Sequence, residues 1–160
     1  MKNALIKFVL FCSVFTLFSI TALQAQTGIG IRGLWGFDED SYGGVELSMQ
    51  KLNKWEMDLG WNENDIWKFT YLKQFKLIQI GDRFGAIYGG IGASGGYNEP
   101  KEEVISTVAG NVGAFVLLGA IELGLDWRPE FGLLNVPNED FTFTTALSVR
   151  FMLGKPKSIN

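Results

Sequence analysis

The feature that most constrains this chain is a two-residue alternation in its last third. From Ala120 to Arg128, the apolar Ile121, Leu123, Leu125 and Trp127 alternate with Ala120, Glu122, Gly124, Asp126 and Arg128. From Phe141 to Leu153, the apolar Phe141, Phe143, Leu147, Val149, Phe151 and Leu153 alternate with Thr142, Thr144, Ala146, Ser148 and Arg150. Successive side chains on a strand point to opposite faces, so this period predicts a sheet with one apolar and one polar face. A helix would spread the same residues round its surface.

The pattern recurs along the chain. It predicts strands over about 28–37, 44–50, 55–62, 67–77, 84–97, 106–117, 120–128 and 141–153. Leu34 interrupts the polar row of the first strand. Lys73 interrupts the apolar row of the fourth, which a bulge would accommodate. Long polar loops are expected over 98–105 and 130–139, and Pro129 is expected to end the seventh strand. Eight strands of about ten residues suit tilted crossings of a bilayer, each needing ~9–11 residues.

The first 25 residues read as a secretory signal: Lys2 and Lys7, then an apolar run from Phe8 to Leu23, then Ala25 before a cut ahead of Gln26. The expected domains are thus a signal over 1–25 and one domain over 26–160. Cys12 lies inside the apolar run, and the mature chain has neither cysteine nor histidine. Disulfides are therefore not available to staple an exported core. Without Lys2 and Lys7 there remain 12 Lys and Arg against 17 Asp and Glu, a net of −5, which argues against nucleic acid as a partner. No apolar run after the signal is long enough for a spanning helix. A membrane location would require a closed barrel, because lipid tolerates no open sheet edge.

Three features turn the apolar face outward. The aromatic residues gather near strand ends: Trp35, Phe37, Trp61, Trp67, Trp127 and Phe141 toward one rim, Trp55, Phe75 and Phe151 toward the other. Paired aromatic girdles belong at the two headgroup levels. The polar face mixes glycines with charges of both signs, and the lumen of an eight-stranded barrel is just wide enough to be filled by side chains. Arg32, Glu46, Glu56, Asp58, Lys68, Glu122, Asp126 and Arg150 are expected to fill it as a structural ion network, with glycines leaving them room. Finally, the odd-numbered connections are acidic and include the long ones, whereas Lys51, Lys54 and Arg83 mark two of the even-numbered ones. The alternative is a secreted, soluble lipocalin-like barrel with its apolar face inward around an apolar ligand.

Taken with the signal, the opening Gly28-Ile29-Gly30-Ile31-Arg32-Gly33, the stretch Leu125-Asp126-Trp127-Arg128-Pro129 and the closing Val149 to Leu153, the mature chain resembles the small eight-stranded outer-membrane barrels of Gram-negative envelopes. That group includes the transmembrane domain of outer membrane protein A. The resemblance implies an all-β, antiparallel, up-and-down transmembrane barrel in the outer membrane, porin-like in architecture but without a wide pore. Members often end on an aromatic residue that aids assembly; here nine residues follow Phe151.

Chemistry is not expected. Gly28 to Gly33 matches a GxGxxG pattern, but no strand precedes it and no helix follows. Without histidine or cysteine, Ser-His and Cys-His nucleophile pairs and the usual zinc sites are excluded. Glu56 with Asp58, and Glu122 with Asp126, lie in a filled lumen that offers no sugar cleft. The expectation is a non-enzymatic monomer without catalytic, cofactor or metal residues. Its partners would be outer-membrane lipids, including lipopolysaccharide reached through divalent cations at the acidic loops.

Overall fold

The alternation becomes eight antiparallel strands: β1 (Thr27–Gly36), β2 (Gly44–Lys51), β3 (Trp55–Asn62), β4 (Ile66–Ile80), β5 (Gly85–Asn98), β6 (Glu103–Leu118), β7 (Ile121–Leu134) and β8 (Phe141–Leu153). Each pairs with the next, and β1 pairs with β8, so the sheet closes into a barrel with no open side. The computed structural model describes residues 27–36, 43–51, 54–62, 65–81, 84–134 and 141–153. The expected signal, Phe37 and the acidic residues Asp38 to Asp40 lie outside them.

Register shows how the strands lean. Arg32 pairs with Glu46 on β2, which pairs with Gly60, then Lys68, Gly96 and Ile105 on β3 to β6. That row leaves the ladder at the upper end of β7. In the other direction Arg32 pairs with Ser148, then Gly124, Phe115 and Ala86, at the lower end of β5. A row perpendicular to the strands thus climbs the barrel instead of closing on itself. This stagger accompanies the strand tilt that a small barrel requires.

Several expected boundaries move. β7 runs through Pro129 to Leu134. The β6–β7 register has no pairs between Ala109↔Glu130 and Val112↔Trp127, whereas Pro129 still sits opposite Phe143 on β8. A proline removes one donor from a ladder, and here the loss is local. The expected loop after Asn98 is likewise shortened, since β6 begins at Glu103 and only 99–102 turn the chain. The fifth connection is therefore short, and of the two long connections expected only the seventh remains, between Leu134 and Phe141. The bulge in β4 lies between Lys76 and Ile78. It follows Lys73 and leaves that lysine on the outward face, exposed, between Trp55 and Ile91.

The faces are sharply divided. Outward residues such as Ile31 (59 % exposed), Val45 (60 %) and Ile91 (61 %) are bare, as are Trp35, Trp61, Trp67, Trp127 and Phe151, while Trp55 is half-buried. Inward residues are buried and mostly polar. A lipocalin-like arrangement needs the reverse. The stability problem is inverted too: the large apolar surface lies outside, and the interior must satisfy charges.

Glycines contribute more than room. A Cβ on Gly30 would lie 1.9 Å from the Val149 carbonyl oxygen, and one on Gly92 1.9 Å from that of Tyr71. Both positions face inward, where the backbone of the next strand curls over them. A side chain there would collide with main chain, so these glycines permit the curvature that closes the barrel.

Candidate functional site

The barrel interior is layered. Its middle is a web of ion pairs built by strands distant in sequence. Arg32 on β1 meets Glu46 on β2 at hydrogen-bond distance. It also donates from Nη1 to Asp58 Oδ2 (3.3 Å) and from Nη2 to Asp126 Oδ1 (2.5 Å). Arg128 on β7 donates to Glu46 Oε2 (3.3 Å), Glu56 Oε1 (3.3 Å) and Asp58 Oδ2 (2.5 Å). Arg150 on β8 donates to Glu122 Oε1 (2.8 Å), Glu56 Oε1 (3.0 Å) and Ser48 Oγ (3.0 Å). All three guanidiniums are essentially inaccessible to solvent.

Glu56 is the hub. Its Oε1 lies 3.6, 3.3 and 3.0 Å from nitrogens of Arg32, Arg128 and Arg150. Its Oε2 accepts from the side-chain amides of Gln74 and Asn111. The planar five-donor guanidinium suits such sharing, because one group can reach carboxylates on several strands. Among the described residues five carboxylates (Glu46, Glu56, Asp58, Glu122, Asp126) meet three guanidiniums in this web.

Toward the acidic rim a separate pair stands apart. Lys68 donates to Glu130 (2.8 Å), and Thr107 holds the other oxygen of that carboxylate (2.8 Å). At the opposite end the polar interior gives way to an apolar plug of Ala86, Tyr88 and Phe115, with Leu117 and Met152 against it. The Tyr88 and Phe115 rings lie 6.0 Å apart, and the Tyr88 hydroxyl reaches up to Asp126 Oδ2 (3.3 Å). Tyrosine suits this boundary, with an apolar body and a polar tip.

Of the eight interior charges expected from the sequence, the structure brings seven into one web and pairs Lys68 separately. Arg128 and Glu130 are the additions. Arg128 continues the polar row of the seventh strand, and that period was its signal; ending the strand at Pro129 leaves it as the last residue of the row. The same reading places Glu130 in a loop, whereas it is buried. The plug residues Tyr88 and Phe115 could have been found by extending the inward parity along β5 and β6.

Of the outward aromatics, Trp61 and Trp67 face each other across the third connection (ring centroids 6.4 Å). Phe131 and Phe141 do so across the seventh (4.8 Å). Trp127 lies well below the end of β7, 6.3 Å from Phe143, and shares a cross-strand row with Trp35 through Thr145. Among the described residues no group of three or more acidic side chains is arranged to hold a metal ion.

Comparison with known proteins gives fold and little else. No protein-family model matches the sequence. No curated protein matches it either. Among solved structures, a de novo designed protein, TMB2.3, determined in solution by NMR, superimposes with a TM-score of 0.50 at 11 % identity. The match covers 82 % of this chain and 96 % of that one. TMB2.3 is a transmembrane β-barrel. The two share a fold. At this identity the likeness carries no information about ligands or activity.

Proposed function

We propose that this chain is an integral outer-membrane β-barrel of Gram-negative type with a structural or surface-interaction role and no enzymatic activity. One observation carries the reading: the exposed face of a closed barrel is apolar, while the charges lie inside. A soluble monomer seldom exposes contiguous apolar patches beyond a few hundred Å². A bilayer requires such a face, and requires a sheet without edges. The likeness to a designed transmembrane barrel supports the same reading at the level of fold.

The interior argues against a wide pore. Three buried guanidiniums cross the lumen and the Tyr88–Phe115 plug closes one end. The role then lies in the surfaces the barrel presents. The exposed carboxylates Asp65, Glu99, Glu102 and Glu103 gather at the end of the odd-numbered connections. In this reading they face the exterior, where divalent cations would bridge them to lipopolysaccharide. The start of β1, the end of β8 and the even-numbered turns face the periplasm.

Electrophoresis with and without boiling, after refolding into lipid vesicles, tests the reading. A barrel inserted in lipid should migrate differently unboiled and should resist protease. A protein that remains monodisperse without detergent or lipid, with no such shift, would overturn it.

A further inference from the structure

Lys73 is the anomaly of the outer wall. It stands on the outward face among apolar side chains, where a charge is costly. Its surroundings give it a purpose. The β3–β4 ladder ends at Trp55↔Lys73, whereas the β4–β5 ladder continues to Ile80↔Gly85. The β2–β3 hairpin therefore stops short and leaves a notch beside the lower half of β4. The notch is lined with ammonium groups. Lys51 lies opposite Trp55, which lies opposite Lys73, so two outward lysines flank one indole across three strands. Exposed Lys54 closes the hairpin, and its carbonyl accepts from the Gln74 amide (3.1 Å), tying the turn to β4.

No carboxylate among the described residues pairs with Lys51, Lys54 or Lys73, and none is exposed at this end of the barrel. Lysine stems lie along apolar surface while the ammonium reaches for polar surroundings. Here the nearest polar level is the hairpin turn. Lys51, Lys54 and Lys73 all stand at the end of the barrel where lipid headgroups would meet it, and the amphipathic indole between Lys51 and Lys73 favours the same level.

We propose that this notch is a binding site for the phosphate of an anionic glycerophospholipid in the periplasmic leaflet, held by Lys51, Lys54 and Lys73 beside Trp55. The proposal rests on the membrane-barrel reading above and on its orientation. The complementary chemistry is a phosphodiester wedged into a gap in an otherwise apolar wall, with acyl chains along the bare face of β4.

The test uses the mature chain folded in phosphatidylcholine nanodiscs, with phosphatidylglycerol as the probe. Native mass spectrometry after release reports the retained lipids. Wild type should retain phosphatidylglycerol in preference to phosphatidylcholine. K51Q, K54Q and K73Q should each lower that preference about fivefold, as expected for a lysine near an anionic headgroup. K101Q, at the opposite rim, should leave it unchanged, and K51R/K73R should retain it, which separates charge from folding. A wild-type barrel that inserts normally yet shows no preference overturns this site and leaves the membrane reading standing. A chain that never inserts overturns both. A preference for lipid A over phosphatidylglycerol, lost in the same lysine variants, would assign the end to the other leaflet and overturn the proposal as stated.

Discussion

At the scale of single residues, the interior is governed by an imbalance: five carboxylates share three guanidiniums. Each arginine therefore serves several acids, and each loss is unequal. Removing an arginine strands carboxylates already short of partners, whereas neutralising a carboxylate relieves the shortage. Arg128→Met should destabilise the barrel by about 3–5 kcal/mol, the usual cost of breaking a buried pair from one side. Glu122→Gln should cost far less, because Arg150 keeps Glu56 and Ser48. Urea unfolding from lipid vesicles, followed by tryptophan fluorescence, would rank the two; equal losses would contradict the sharing scheme. Seven of the eight web residues belong to the charges read from period alone. The eighth, Arg128, stood on the same polar row as the last residue before Pro129, and only its place in the web came from the structure.

At the scale of strands, existence and facing were legible because a period of two needs only a few residues to declare itself. Ends were not. Phe131 and Leu133 still alternate outward past Pro129, and Ile105 still points inward beyond the polar stretch after Asn98. The competing loop signals, proline and clustered acids, are statistical and local. The curvature of the strands was equally hidden, because a glycine that makes room and a glycine that lets backbone approach look alike in a sequence. Their difference can be measured. Gly92→Ala places a methyl against the Tyr71 carbonyl and should cost about 1–3 kcal/mol, as overpacking does, with a lower yield of the unboiled, fast-migrating form. Gly95→Ala on the same strand points outward, with its nearest neighbour 4.0 Å away, and should fold as wild type.

For the whole molecule, the decisive property is which face meets the solvent, and composition alone did not decide it; aromatic placement and the mixed charges of the other face did. Ile31→Arg separates the two solvents. The side chain stands between Leu47 and Val149 on the outside of the barrel. In water, a surface isoleucine exchanged for arginine changes little. In a bilayer near its midplane the exchange should cost about 2–4 kcal/mol, readable in the same urea titration. Conductance offers a second check. Wild type in planar bilayers should pass no large solute, and Phe115→Ala, which opens the apolar plug, should raise small-ion leakage without altering the ion web above it. The short β2–β3 hairpin carries one more consequence. The greasy wall of the barrel is not equally tall all round, being cut away beside β4 and taller along β4 to β6. A bilayer of uniform thickness matches only one of these heights, so the molecule should ride tilted, or pinch the membrane thin at the hairpin, and should insert faster into shorter-chain lipids.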